Sequence, residues 1–297
     1  MSVQLISLIK FKSSVSFRLS RILLSLIFCG LLFCCPSFAA PNSEYQIEKW
    51  TTEQGLPQNT IAAIVQTRDG YLWLGTYGGL ARFDGIKFTV FNTANTPMLK
   101  NQRINALYED KGGTLWIGSD SGDVYKYRNG QFSIFKAASG ISDPIYSMLV
   151  DSRGFLWVGG RNLVKYAFDD KGIIKSETIE IAPRREVQHI ETIRGICEDS
   201  LGNIWFSAIN RLFRYQNDSL TEFTGDASIS ELLRETEIIK YNTNLIVDRH
   251  GILRFASKKG IARFDGNRFV TEFSNESFKD GLPHFSEDAE GNLSVNF

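Results

Sequence analysis

The stretch "QTRDGYLWLGTYGGLARFDGIKFTVF", Gln66 to Phe91, decides the fold. It carries five glycines, a Trp, three Phe and two Asp-Gly pairs, and it admits two readings. "GTYGGL" could cradle a phosphate, or the whole stretch could be one copy of a repeated unit. A phosphate loop needs Lys-Ser/Thr after its glycines and a helix to receive them. Here Leu80, Ala81 and Arg82 follow, in a strand–bend–strand context. The glycines then mark a tight bend between two strands.

The rest of the chain repeats this pattern. Aligned on the glycine of "DGYLW", copies fall at Gly70, Gly113, Gly154, Gly202, Gly251 and Gly291, spaced 43, 41, 48, 49 and 40 residues apart. Trp73, Trp116, Trp157 and Trp205 stand three residues after the first four glycines; Arg254 and Ser294 replace them in the last two. Each copy reads as four short strands. An apolar first strand ("TIAAIVQ", "INALYE") ends in a D-x-x-G turn, where Asp accepts backbone N–H bonds and Gly suits the last position. The second strand holds the Trp. A bend leads to the third ("GLARF", "DVYKY"), and Asp84-Gly85, Asn129-Gly130 and Asp265-Gly266 predict two-residue hairpins with φ > 0 at both central positions.

Four antiparallel strands every 40–49 residues describe the blades of an all-β propeller. Blades are expected near 58–92, 101–136, 142–180, 190–224 and 241–274, with a partial sixth at 281–297. A blade cannot cover its own two faces, so blades are stable only as an array. Each Trp of the series is expected in the core between blades, where burial removes about 150–250 Å² from water, roughly 4–6 kcal/mol at the upper bound.

Composition agrees. The chain has 297 residues, 43% hydrophobic, 12% aromatic and 22% charged, with zero formal net charge, so nothing points to nucleic acid. Residues 1–39 differ from the remainder. They hold Lys10, Lys12, Arg18 and Arg21 but no acid, then an apolar run from Ile22 and the exit "CCPSFAAP", which together predict a secretory signal peptide. Pro41 disfavours cleavage after Ala40, and Ser37 with Ala39 place it after Ala39. The run of 17 residues to Phe38 is a little short for a membrane span, so membrane attachment is expected only if the segment stays uncleaved. The remaining propeller, 40–297, keeps 29 basic and 33 acidic residues (net −4) and one cysteine, Cys197. With no disulfide within the chain, packing must supply its stability. Cys197 itself reads as a small apolar strand residue.

The first copy goes further. "GLPQN", "DGYLWLGT" and "GLARFDG" closely resemble the two-component regulator propeller repeats, and the resemblance runs from about Tyr45 to Gly281. It implies an extracytoplasmic sensor: in that family, propellers precede a small β-sandwich, a membrane span and a histidine kinase or diguanylate cyclase, and sense a small molecule or glycan. Self-association through sensor propellers is a further implied partner. This sequence departs from the pattern, because no kinase, nucleotide-binding, GGDEF-type or helix-turn-helix motif is present and the sixth copy is worn. "YQIEKW", Tyr45 to Trp50, looks like an outer strand waiting for a final blade. The expectation is a truncated sensor, five blades plus a fragment in an incomplete ring, without enzymatic activity or cofactor. A stand-alone periplasmic interaction propeller and a propeller lyase or hydrolase are the alternatives.

No His, Cys or acid cluster has metal-ligand spacing, and His250 reads as a solvated turn residue. Asp110, Asp151, Asp199, Asp248 and Asp288 recur at one turn position, which argues for turn chemistry over catalysis. Propellers usually bind ligands at a channel mouth, where loops leading into first strands meet the bends between second and third strands. The candidates there are Gln58, Asn59, Tyr77, Gln102, Arg103, Arg161, Asn162, Asn210 and Arg211, with Asp143, Thr192 and Asp120 nearby. Their amide and guanidinium groups suit hydroxyl-rich or anionic ligands, against the plainer reading of solvated loops.

Overall fold

Five four-stranded antiparallel sheets follow one another along the chain in the computed structural model. It describes residues 4–6, 47–136, 143–181, 192–208, 211–223, 245–257, 260–274, 284–287 and 293–296. Ahead of the sheets, β1 (Gln4–Ile6) and β2 (Ile47–Lys49) pair antiparallel. Blade one comprises β3 (Ile61–Gln66), β4 (Leu72–Thr76), β5 (Gly79–Phe83) and β6 (Phe88–Phe91). Blade two comprises β7 (Ile104–Glu109), β8 (Leu115–Ser119), β9 (Val124–Arg128) and β10 (Gln131–Lys136). Blade three has β11 (Ser147–Val150), β12 (Leu156–Gly159), β13 (Leu163–Asp169) and β14 (Gly172–Ile179), the last two being the longest third and fourth strands of the five blades. Blade four has β15 (Gly195–Glu198), β16 (Ile204–Ala208), β17 (Arg211–Gln216) and β18 (Ser219–Glu222). Blade five has β19 (Leu245–Val247), β20 (Leu253–Ser257), β21 (Gly260–Phe264) and β22 (Phe269–Ser274). A two-stranded pair, β23 (His284–Glu287) and β24 (Leu293–Asn296), follows. Apart from residues 4–6, the expected signal segment lies outside the described residues.

The strands pair in sequence order within each blade, first to fourth. The innermost strands β3, β7, β11, β15 and β19 pack side by side in that order. Each Trp sits between its own blade and the next. Trp73 joins Leu115, Ile117 and Tyr125 of blade two; Trp116 joins Met148, Leu156 and Tyr166 of blade three. Trp157 joins Ile204, Phe206 and Phe213 of blade four; Trp205 joins Leu253, Phe255 and Phe269 of blade five. Their exposures are 1%, 1%, 0% and 0%, which makes them inter-blade core rather than ligand platforms. On the other face of blade one, Trp50 lies edge-on to Phe83 at 4.7 Å and Phe88 at 5.6 Å.

The glycines of "GTYGGL" are explained by close approach. A Cβ on Gly75 would stand 2.9 Å from the Ile104 carbonyl oxygen of blade two, and one on Gly78 would stand 2.8 Å from the Pro57 carbonyl oxygen. The equivalent second-strand glycines Gly118 and Gly159 receive Ile145 and Ile193 of the next blades in the same way. The motif therefore seats the following blade's first strand.

Two of the three expected hairpins turn differently. Asn129 and Gly130 both have positive φ (51° and 81°), as expected. At Asp84-Gly85 and Asp265-Gly266 only the glycine does, and the loop residues are Gly85-Ile86 and Gly266-Asn267. Each Asp instead closes its turn from the strand end. Asp84 accepts the Ile86 and Lys87 amides at 2.9 Å, and Asp265 accepts those of Asn267 and Arg268 at 3.0 and 2.9 Å. The amides of Lys87 and Ile86 hold the Asp84 carboxyl below the usual range, and those of Arg268 and Asn267 do the same for Asp265. The positive-φ pair of blade four is Asn217-Asp218.

Candidate functional site

The loops leading into first strands do meet the second-to-third-strand bends. Gln58 lies against Gly78, and the Asp120 amide donates to the Arg103 carbonyl at 2.9 Å. The Ile193 amide donates to the Gly160 carbonyl at 2.7 Å. The belt also carries two guanidinium–aromatic stacks between neighbouring blades: Arg103 over Tyr77 at 4.9 Å and Arg194 over Tyr146 at 4.4 Å. Arg103 approaches Asp120 at 3.5 Å, and Arg161 approaches Asp143 at 4.0 Å. Asn59 accepts the Thr52 amide at 2.9 Å; Gln102 and Asn162 are exposed. Arg211 is buried and runs toward the outer strand, bidentate to Glu222 at 3.1 and 2.7 Å and stacked on Phe213 at 4.6 Å. Asn210 lies outside the described residues. The structure thus gathers Gln58, Tyr77, Arg103, Arg161 and their acidic partners in the belt, while the Arg211 guanidinium is engaged within blade four.

The opposite face is built by the D-x-x-G turns. One Asp oxygen closes the turn: Asp110 Oδ1 accepts the Gly112 and Thr114 amides at 2.8 and 3.0 Å. The other oxygen accepts the indole N–H of the buried Trp six residues on, at 2.7 Å for Trp116, 2.9 Å for Trp157 and 2.8 Å for Trp205. In blade five Arg254 occupies the Trp position and donates instead to Asp248 and, at 2.8 Å, to Glu272. Burial pushes the Asp248 carboxyl up, but the Ile252 amide, the Arg254 guanidinium and the His250 amide outweigh it and hold the carboxyl below the usual range. In blade one Thr67 stands in place of the Asp.

Adjacent turns are tied together. Arg68 donates to the carbonyls of Lys111 and Asp110 at 2.6 and 2.7 Å, while Glu109 accepts the Arg68 amide at 3.1 Å. Glu198 accepts from the Ser152 amide and hydroxyl at 2.8 and 2.5 Å. Two clefts open on this face. One, of about 410 Å³, is lined by turns of blades two to five, including Lys111, Ser152, Ser200, Arg249 and His250. The other, of about 590 Å³, runs between blades two and three. Its walls are Lys126, Arg128, Gln131 and Ser133 on one side and the long β13–β14 hairpin, with Phe168, Asp169 and Asp170, on the other. Both volumes suit a small ligand. Lys111 and Ser152 line both clefts.

Sequence reasoning passed over these residues as turn chemistry. The signal was nevertheless available. Arg68, Lys111, Ser152, Ser200 and Arg249 occupy the same register position, immediately after the first residue of each turn, and vary in charge while the turn frame stays fixed. Four of the five line the axial cleft. Cys197 is partly covered against the Trp205 cluster, and burial, then Asp199, pushes its thiol up, which suits a core residue rather than a nucleophile. Among the described residues, no group of three or more His, Cys, Asp or Glu is placed to hold a metal ion, and no helix is long and apolar enough to cross a membrane.

With this geometry in view, the two-component regulator propeller family matches residues 55–78, 98–121 and 139–162, the first halves of blades one to three. Histidine kinase P4 of Formosa agariphila is 38% identical over 55 residues, which are 18% of this chain and 4% of that protein. Among solved structures, the extracellular domain of the hybrid two component system BT3049 from B. thetaiotaomicron shares the fold with a TM-score of 0.60 at 19% identity, over 82% of this chain and 32% of that one. Virginiamycin B lyase from Staphylococcus aureus does so with a TM-score of 0.59 at 15% identity, over 83% and 80%. At these identities the likeness to both structures is one of fold. The chain spans about a third of the first and a small fraction of the histidine kinase.

Proposed function

We propose that this chain, which carries two-component regulator propeller repeats, is an extracytoplasmic ligand-sensing propeller of a two-component-type signalling protein. The observation that carries the reading is the pair of clefts on the D-x-x-G face, built from the turns of four blades and fixed by the Arg68 and Glu198 ties. A pre-formed, polar, multi-blade cleft suits recognition of a small extracellular molecule. The acids around it suit binding more than turnover. Asp110, Asp151 and Asp199 are engaged by amide and indole N–H groups, and Asp248 by amides and a guanidinium. Carboxylates so engaged have little acceptor capacity left for a reacting group.

Thermal unfolding of the purified chain against a panel of neutral and acidic sugars, amino acids and short peptides tests the reading. At least one class should raise Tm in a concentration-dependent way, as binding to the folded state requires. A protein that unfolds cooperatively and responds to no member of the panel would sink it. Alkaline phosphatase fused behind Phe297 should be active in cells if the chain is exported and inactive if it stays in the cytoplasm.

A further inference from the structure

The seams between blades are not fastened alike on the D-x-x-G face. The residue that ends each first strand stands in one register, opposite Leu72, Leu115, Leu156, Ile204 or Leu253, and reads Gln66, Glu109, Val150, Glu198 and Val247 in blades one to five. Where it is an acid, it reaches back across the seam to the turn of the preceding blade. Glu109 of blade two accepts the Arg68 amide of blade one at 3.1 Å, and Glu198 of blade four accepts the Ser152 amide of blade three at 2.8 Å. Further bonds reinforce both ties. The Arg68 guanidinium donates to the Lys111 and Asp110 carbonyls, and the Ser152 hydroxyl donates to Glu198. Blades one and two are thus fastened turn to turn, and so are blades three and four.

Between blades two and three the same position is Val150, and between four and five it is Val247. A valine has no side-chain acceptor to offer the Lys111 or Ser200 amide in the turn before it. Each valine lines one of the clefts: Val150 the groove of about 590 Å³, Val247 the cleft of about 410 Å³. On the belt side the seam between blades two and three is closed. There the Ile145 amide donates to the Ser119 carbonyl at 3.1 Å, and Gly118 seats the Ile145 side chain. In the core of the seam Trp116 meets Phe168 edge-on at 5.3 Å. Nearer the groove the Tyr108 hydroxyl donates to the Val150 carbonyl at 3.3 Å, a longer bond than either carboxylate tie. A bond between neutral groups is also weaker than one to a carboxylate.

We propose that the seam between blades two and three is a joint of the array. Pivoting at the Gly118–Ile145 seat, it lets the fastened pair of blades one and two swing against the fastened pair of blades three and four, so that the groove opens and closes. The ties make each wall of the groove rigid and leave the angle between the walls to the joint. The long β13–β14 hairpin forms one wall and moves with blade three. A ligand that touches both walls in the closed arrangement selects it through its differential affinity for the two. The joint needs no ligand. Its closure by one rests on the sensing reading above and adds how the same groove reports that it is occupied.

Electron-resonance distance measurements between spin labels test the joint, in a full chain whose native cysteines are replaced by alanine and which unfolds like wild type. Labels at Arg128→Cys and Asp170→Cys, both exposed, span the unfastened seam; labels at Ile86→Cys and Arg128→Cys span the fastened seam between blades one and two. The distance distribution across the unfastened seam should be broader by about 2 Å or more, the scale of hinge rearrangements. Val150→Glu supplies an acceptor beside Asp151, as Glu109 does beside Asp110, and should narrow that distribution to the width of the fastened seam. Glu109→Ala should broaden the fastened seam, and it decides the matter if Val150→Glu does not fold. Equal widths at the two seams overturn the proposal. So does a fastened seam left unchanged by Glu109→Ala, or an unfastened seam left broad by a folded Val150→Glu. A sugar, amino acid or peptide that raises Tm without narrowing the unfastened seam overturns closure by ligand and leaves the sensing function intact. A broad unfastened seam with no Tm response to any of these compounds sinks the sensing function and leaves the joint standing.

Discussion

Asp151→Ala tests whether the turn carboxylates hold the blades together by gripping the indoles. The Asp151 side chain is 0% exposed and accepts four bonds, from the Arg153 amide at 3.0 Å, the Phe155 amide at 2.9 Å, Trp157 Nε1 at 2.9 Å and the Arg153 guanidinium at 3.2 Å. Truncation strands the two amides and the indole, while the Arg153 guanidinium, 49% exposed, turns to water. The two amides lie at an open turn, where water can replace much of what they lose, so their share is about 0.5–1.5 kcal/mol. The indole belongs to a residue with 0% exposure that water cannot reach, and leaving its N–H without an acceptor costs about 1–3 kcal/mol. The sum is about 3 kcal/mol. The indole share can be isolated with Trp157→Phe, which keeps a ring in the core but removes the donor. In a double-mutant cycle followed by urea unfolding, Asp151→Ala should cost less in the Trp157→Phe background by about 1–2 kcal/mol. The slopes must match, because a changed slope signals a changed unfolded ensemble rather than a lost bond. A coupling below about 0.5 kcal/mol, within ordinary additivity error, would refute the grip and return Asp151 to turn closure alone.

Gly118→Ala would place a Cβ 2.6 Å from Ile145 Cγ2 and 3.0 Å from Ile145 Cβ in the next blade. It should destabilise by about 1–3 kcal/mol, and Ile145→Ala should cost less in that background than alone, because the added methyl enters the vacated space. Equal costs in both backgrounds would mean the blades do not meet there. Asp248→Asn addresses pH. The Asp248 carboxyl is held below its unfolded value of about 3.9, so its contribution is present above that pH and is lost as pH falls through the lower folded value. The gap in unfolding free energy between wild type and Asp248→Asn should be widest at neutral pH and close under acid; a gap independent of pH would contradict it.

The repeat was legible because packing imposes it. The Trp series, the D-x-x-G turn and the second-strand glycine each answer a demand that returns with every blade, and such demands leave a period in the sequence. Asn129-Gly130 was legible for the same local reason, since both residues tolerate the left-handed region. The Asp84 and Asp265 hairpins were not. Their side chains reach two amides across the loop and move the tight position one residue along, an outcome the dipeptide alone does not encode. Arg211 shows the limit for site residues. Its register placed it at the channel mouth, yet Glu222 eleven positions on draws the guanidinium toward the outer strand. Register fixes where a Cα stands; the partner decides where a long side chain goes.

The same logic locates function. Residues that recur from blade to blade are consumed by the architecture: the Asp by amides and indole, the Trp by the inter-blade core, the glycine by the next blade's isoleucine. They have little left to offer a ligand. What can recognise something is the part of each repeat that the frame leaves free to vary. The position after the turn Asp does so, reading Lys111, Ser152, Ser200 and Arg249 around one cleft. Blade three departs in length as well, because β13 and β14 run longer than their counterparts and wall off the groove against blade two. A site made of such departures has no period and no motif. It becomes visible only when the repeats are folded and their unequal residues are brought to one face.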